Sequence, residues 1–402
     1  MKPQVWSIKG QRPLVGWRSA ISLRMPWWRI DWPLLVLGLG FFALGLVLVD
    51  RMADADALYG RDKILAGPQF KKAVVAVPFL LLGLVLRPRW VRRNAYAFYG
   101  FAMVLLVLVP ILGMERNGAR RWIEIPGIGL DLQPSELAKI GVILALARTL
   151  HRSRMEHLAD WRIPIALVLL PMALVAAQPD LGTALTLVPV ALGLFWMAGA
   201  PTRLVAGVVL TGALVGYSAW SMDWLHGYQA KRIDTWVRCL DNDALIANRK
   251  GAAFHPYMAR TFIGHGGWLG TGLGQGIANQ SGNLPERNCD SIFAVIAEEG
   301  GFVGASALVF FYLAFAALLL VAAARTRERF SRLVIAGTGL YFAAHFAINT
   351  GVNLGLVPMT GLTLPLISAG GSSLLASMAL LGLALSLSAR AEPTLDSDSF
   401  RE

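Results

Sequence analysis

Residues able to do chemistry are sparse in this chain, and they fall in a few runs. The run Asn288-Cys289-Asp290-Ser291-Ile292-Phe293-Ala294-Val295-Ile296-Ala297-Glu298-Glu299 places one carboxylate where a long polar stretch gives way to an apolar helix, with two more about two turns further on. Acid groups at membrane depth are costly, so each is a functional candidate by default. Asp is also a favoured helix N-cap, and on this run alone a catalytic and a capping role for Asp290 stand side by side.

Other candidates surround it. Arg120 and Arg121 can offer forked donors to a phosphate or pyrophosphate. Glu136 and Lys139, three apart, share a helix face and could equally form a self-neutralising structural pair. Asp180 in Gln178-Pro179-Asp180-Leu181-Gly182-Thr183 stands at another helix start, a cap or a site acid. His345, Asn349 and Asn353 recur every four residues, a stripe whose default role is interhelical hydrogen bonding. The run Gly361-Leu362-Thr363-Leu364-Pro365-Leu366-Ile367-Ser368-Ala369-Gly370-Gly371-Ser372-Ser373 offers backbone N–H groups and hydroxyls, a candidate anion site. Gly272-Leu273-Gly274-Gln275-Gly276 follows no strand and reads as turns; no Walker A sequence and no zinc-spaced His/Cys cluster is present.

The elements that must position these groups are membrane helices. The chain is 55% hydrophobic and only 15% charged over 402 residues, far from a soluble domain. Its net charge of +12 is spread in short blocks between apolar runs, as in cytoplasmic loops, which argues against nucleic acid as a partner. No cleavable signal peptide is expected in the Trp-rich basic start.

The expected fold is all-α: a polytopic bundle of ten transmembrane helices near 33–49, 70–86, 95–113, 133–150, 163–177, 181–198, 203–220, 291–321, 331–352 and 371–389. Both termini are placed in the cytoplasm, with a basic arm 1–32, a transmembrane domain 33–390 and a polar tail 391–402. Exterior loops are expected at 114–132 and, between helices seven and eight, at 221–290. The polar chemistry gathers on that outer side.

The blocks Gly118-Ala119-Arg120-Arg121-Trp122, Gln133-Pro134-Ser135-Glu136-Leu137-Ala138-Lys139, Gln178 to Thr183, Gly266-Gly267-Trp268 through Gly276, Leu284-Pro285-Glu286 with Asp290 to Glu299, and Gly361 to Ser373 resemble the SEDS family of the RodA/FtsW type. They run in family order over nearly the whole chain, and Gly267-Trp268 with Gly361 to Ser368 look more like the FtsW branch. The resemblance implies a ten-helix peptidoglycan glycosyltransferase, in cell division or cell shape, that polymerises lipid II at the outer face of the bacterial inner membrane. A class B penicillin-binding protein would be its partner. It implies that Asp290 is the catalytic acid. Substrate binding is expected from Arg120, Arg121, Glu136, Lys139, Asp180, Glu298, Glu299, Asn349, Ser368 and Ser372. No cofactor is required by the motifs, and a divalent cation, Mg or Mn, is a candidate for the leaving diphosphate.

The chain departs from the family pattern at Ala369 (usually Tyr), Met359 (usually Lys in the FtsW branch), Cys289 and Ser291 (usually Thr and Phe). In the long loop the family's Gly-Tyr-Gln run is not recognisable near Phe254-His255-Pro256-Tyr257. Cys239 and Cys289 both fall on the exterior side, where a disulfide is permitted; two free thiols are expected. Two other function classes stand beside it: a flippase of lipid-linked precursor, which many spans with internal charges also suit, and a non-catalytic scaffold for the penicillin-binding protein, which the departures from the family pattern allow. A transporter should carry polar groups along a whole path, whereas here they cluster at one face.

Overall fold

The computed structural model describes residues 26–390, apart from 62–63, 65, 117–118, 126–129, 154, 156, 223 and 225–227. Most of the basic arm and all of the tail after Arg390 lie outside the described residues. In order come α1 (Trp32–Leu58), α2 (Ala66–Val85), α3 (Pro88–Leu112), β1 (Met114–Arg116), β2 (Ala119–Ile125), β3 (Leu130–Leu132), α4 (Pro134–Leu150), α5 (Arg162–Ala176), α6 (Leu181–Ala198) and α7 (Thr202–Ser221). Then follow α8 (Tyr228–Arg238), α9 (Asn242–Ala247), α10 (Phe254–His265), α11 (Ile277–Ser281), α12 (Ile292–Arg325), α13 (Arg329–Leu354) and α14 (Gly371–Ala389). Five of these, α1, α3, α12, α13 and α14, are long and apolar enough to cross a bilayer by length and composition.

Three segments depart from the expectation. Helix α1 runs on past the expected end near 49, through Asp50, Asp54 and Asp56. The intervening Arg51, Met52, Ala53, Ala55, Ala57 and Leu58 are good helix formers, so the helix continues. The 114–132 loop is a three-stranded antiparallel sheet in the order β1-β2-β3. The 221–290 loop carries α8 to α11.

Packing sorts the helices into centre and rim. In α14, 89% of the most apolar window is buried, against 33% in α1 and α3, so α14 lies inside and the other two face outward. Helices α2 and α14 approach backbone to backbone at Gly83 and Gly382: a Cβ on Gly83 would meet Ala379 O at 2.6 Å, and one on Gly382 would meet Leu80 O at 2.1 Å. Helix α7 exposes Val208, Val209, Leu210, Leu214 and Val215, a surface fit for lipid.

At one end of the bundle the expected basic loops also tie helices together. Arg390 donates to Leu84 O, Val85 O and Leu86 O, carbonyls that the end of α2 leaves without helical partners. Arg329 donates to Ser153 O and Ala198 O, and Arg92 pairs with Glu328 at 3.2 Å.

At the other end α12 is interrupted. Gly301 has φ 64° and ψ −164°, and the backbone of 267–272 runs through the gap. Thr271 N–H and Gly272 N–H donate to Glu298 O and Glu299 O (each 3.0 Å), while Phe302 N–H and Val303 N–H donate to Gly267 O and Trp268 O (2.8 and 3.1 Å). The loop thus uses helical groups that the break sets free. A Cβ on Gly301 would sit 2.3 Å from Gly270 N, whereas nothing lies within 4 Å of one on Gly300. Gly301→Ala is therefore expected to lower stability by at least about 1–3 kcal/mol from backbone strain. Gly300→Ala should be neutral or stabilising by up to about 1 kcal/mol. Thermal unfolding of the two purified variants in one detergent checks the contrast.

Candidate functional site

Asp290 lies in a tight turn immediately before α12. The turn closes on Glu286 O, which accepts from Cys289 N–H (2.9 Å) and Ser291 N–H (3.2 Å), and Glu286 itself has a positive φ of 45°. Ser291, not Asp290, is the N-cap of α12, and no side chain caps that end. The capping reading of Asp290 is thereby overturned. Its carboxyl is 11% exposed, accepts from Ser291 Oγ at 3.4 Å and lies 4.0 Å from His255 Nε2 on α10.

Two elements fix the turn from behind. Asn349 and Asn353 on α13 each donate a side-chain N–H to Asp290 O at 2.9 Å. Asn349 also donates to Leu362 O at 2.7 Å, so the same amide ties in the segment before α14. That segment returns the contact: Ala369 N–H donates to Asn288 O (2.8 Å), and Ser368 Oγ donates to Cys289 O while accepting from Leu364 N–H. Of the stripe on α13, only His345 meets another helix, at Lys139 of α4, while Asn349 and Asn353 hold the non-helical backbone at Asp290 and Leu362.

A buried ionic mooring lies on the approach to the turn, and nothing in the sequence reading anticipated it. Asp56, fully buried near the end of α1, pairs with Arg61 at 2.8 Å and with Arg287, three residues before Asp290. Arg61 donates on to Asn279 O and Gln280 O (each 2.7 Å) of α11. The other end of α11 is held by the acids on α12. Glu298 accepts from Ile277 N–H and Ala278 N–H (each 2.9 Å), and Glu299 accepts from Asn279 Nδ2. Glu298 and Glu299, expected at the substrate, are placed here as anchors of the loop that leads to Asp290.

The remaining candidates sit further round the same end. Arg121 donates to Gln178 O (3.1 Å) and Pro179 O and lies 4.0 Å from Asp180. Asp180 caps α6, accepting from Thr183 N–H at 3.3 Å, and also accepts from Gln133 Nε2 at 3.2 Å. Ser372 Oγ donates to Asp131 O and accepts from Gln133 N–H, joining α14 to β3 and α4. Arg120 is exposed, donates to Pro110 O and pairs loosely with Glu115 at 3.8 Å. Lys139 and Glu136 are both buried, 2.7 Å apart, and His345 Nε2 lies 3.0 Å from Lys139 Nζ. Tyr341 Oη reaches Glu136 at 3.5 Å. The structure gathers Asp290, Asn349 and Ser368 at one turn; Arg121, Asp180 and Ser372 form a second cluster, and Glu136 with Lys139 a third.

Electrostatics at the turn come from other residues. Burial first, and the Glu286 carboxylate second, push Asp290 up to about 7, partly offset by Ser291 and by Arg232 on α8. Burial pushes the Cys289 thiol up to about 12, with Lys72 on α2 acting in the opposite sense. Lys72 Nζ donates to Ala369 O at 3.4 Å. Lys72 and Arg232 are thus the cations felt at positions 289 and 290, and neither is among the candidates that the sequence offered. Cys239 and Cys289 are both free thiols. No group of three or more His, Cys, Asp or Glu that could hold a metal occurs among the described residues.

Removing the acid at the centre of the mooring leaves the buried Arg287 without its counter-charge. Asp56→Leu should cost about 3–5 kcal/mol, whereas Arg120→Ala, at an exposed pair, should change stability by under about 1 kcal/mol. Detergent-phase thermal unfolding of both variants measures the difference.

With this geometry in place, comparisons with known proteins carry weight. Residues 31–392 match the FtsW/RodA/SpoVE family model, described as a cell cycle protein. A protein of Mycobacterium tuberculosis named a probable peptidoglycan glycosyltransferase FtsW is 37% identical over 366 residues, 87% of this chain and 66% of that protein. The chain therefore spans just under two thirds of that relative. The Escherichia coli peptidoglycan glycosyltransferase MrdB is 36% identical over 75% of this chain and 79% of its own. Among solved structures, one reported for the coordination of polymerization and crosslinking by a peptidoglycan synthase complex superposes with a TM-score of 0.74, at 30% identity over 93% of this chain and 99% of that one. The Thermus thermophilus rod shape determining protein RodA superposes with a TM-score of 0.66, at 30% identity over 90% and 97% of the two chains. The match begins one residue before α1 and ends three after α14, and over that whole length the chain belongs to the FtsW/RodA/SpoVE family.

Proposed function

We propose that this multi-pass membrane protein is a peptidoglycan glycosyltransferase that polymerises lipid II into glycan strands. The reading rests on the relatives named for that activity and on one observation above the rest: the Asp290 carboxyl is buried and raised to about 7, yet fixed by hydrogen bonds on both sides of its turn. A carboxylate poised near neutrality is suited to take a proton at working pH. In the proposed step Asp290 removes the proton of the acceptor sugar's C4 hydroxyl. That oxygen attacks the anomeric carbon of the growing strand, and undecaprenyl pyrophosphate leaves. Lys72 and Arg232, the cations whose charge acts on Cys289 and Asp290, are assigned to the diphosphate charge.

For the membrane arrangement, the proposal takes α1 to α7 and α12 to α14 as ten spans with both termini in the cytoplasm. The Asp290 end then faces outward from the bacterial inner membrane, with α8 to α11 in the large exterior loop. The likeness to a chain of a peptidoglycan synthase complex supports a class B penicillin-binding protein as partner. The clustering of polar groups at one end favours a polymerase over a flippase.

Purified protein given lipid II should make polymer, and Asp290→Asn should lower the rate by about 10²–10⁴-fold. Full activity in Asp290→Asn would remove the base assignment. The rate should fall on the acid side with a midpoint near the value of about 7, because protonation removes the base. Glu286→Gln deletes the neighbouring negative charge, eases ionisation of Asp290 and should move that midpoint to lower pH.

A further inference from the structure

A base that takes one proton per sugar must lose it before the next addition. Asp290 is largely enclosed behind its turn, with 11% of its side chain exposed, so the route by which that proton leaves is a physical question in its own right. Three groups form a short chain at the carboxyl. Ser291 Oγ is 3.4 Å from Asp290 Oδ1, His255 Nε2 is within hydrogen-bond distance of Ser291 Oγ, and the same nitrogen is 4.0 Å from Asp290 Oδ1. Ser291 is buried, and the imidazole is 20% exposed, so the chain leads from the enclosed carboxyl to a group that water reaches.

We propose that Ser291 and His255 form a proton relay that returns Asp290 to its carboxylate between sugar additions. This rests on the assignment of Asp290 as the base. When Asp290 is ionised, Ser291 Oγ–H donates to it. Once Asp290 carries the proton, its O–H donates to Ser291 Oγ, and the serine hydrogen turns to His255 Nε2. In the transfer the carboxyl O–H bond breaks and a new O–H bond forms at Ser291. The serine's original hydrogen binds Nε2, and the Nδ1 hydrogen passes to water. The net change is one proton moved from Asp290 to solvent, with no oxidant or co-reactant; solvent exchange restores the imidazole tautomer.

The other groups at this point do not offer the same exit. Asn349 and Asn353 bind the backbone carbonyl of Asp290, not its carboxyl. The Cys289 thiol is pushed up to about 12 and is no acceptor at neutral pH. Glu286 raises Asp290 through its charge, and Arg232 acts on both Asp290 and His255 as a fixed cation. Burial, with Arg232 second, pushes His255 down to about 4, so the imidazole is neutral and able to accept, and it does not retain the proton.

The test uses full-length protein in detergent with lipid II as substrate, and compares wild type with His255→Ala, His255→Gln, Ser291→Ala and Asp290→Asn. His255→Ala should lose about tenfold or more in kcat, with KM within about twofold of wild type, and imidazole added to the medium should restore much of the rate. His255→Gln keeps a hydrogen-bonding side chain but no basic nitrogen, so it should stay slow. Ser291→Ala should be slow and Ser291→Thr near wild type, which keeps the relay testable even if a histidine variant misfolds. Wild-type rates in His255→Gln, or a His255→Ala defect that imidazole leaves unchanged, would overturn the relay while leaving an inactive Asp290→Asn, and hence the base, in place. Activity in Asp290→Asn would instead overturn the base on which the relay depends.

Discussion

Enclosing the Asp290 carboxyl makes its charge costly, and the surrounding structure is arranged to hold it in place under that cost. A buried carboxylate ordinarily either protonates or finds a cation. Here the near partners of the carboxyl are a serine hydroxyl and a neutral histidine, and the charge of Arg232 offsets its burial only in part. The group is left close to neutrality, where small changes in surroundings decide whether it carries a proton.

Holding such a group requires rigidity supplied from a distance, and several chain segments converge to give it. The α13 amides grip the backbone of residue 290, the segment before α14 pairs with Asn288 and Cys289, and the Asp56–Arg287 pair moors the approach. Behind these, Glu298 and Glu299 hold α11, and the glycine-rich loop 266–272 locks through the break in α12. Carboxylates that a sequence reader takes for substrate ligands are thus partly spent on building the frame. Buried ion pairs are weak sources of net stability but strong constraints on geometry, since losing either partner is expensive.

Much of this was readable in advance, and the reasons differ by element. Apolar runs bounded by basic blocks located α12, α13 and α14, because lipid imposes length and loop charge directly on composition. The four-residue spacing of His345, Asn349 and Asn353 marked a polar stripe on one helix, though two of its members hold loop backbone and not a neighbouring helix, and the three-residue spacing of Glu136 and Lys139 marked a pair. The sheet was missed although Asn117-Gly118 lies between its first two strands, a dipeptide typical of tight hairpins. The pairing of Asp56 with Arg287 and the seat of His255 beside Ser291 join residues far apart in the chain, and no local periodicity carries such information. His255 was also hidden because its stretch departs from the family pattern, which drew notice to what was lacking and away from what stood there.

The central claim is that Asp290 is a carboxyl whose proton affinity lies near neutral pH in the folded protein. The most direct measurement is an infrared titration of the purified protein between about pH 5 and 9, taken as wild type minus Asp290→Asn, a range chosen to bracket ordinary carboxyls below it. A protonated-carboxyl absorption that belongs to Asp290 and vanishes with a midpoint close to 7 is the predicted result. No such band anywhere in that range, with Asp290 fully ionised throughout, would contradict the account.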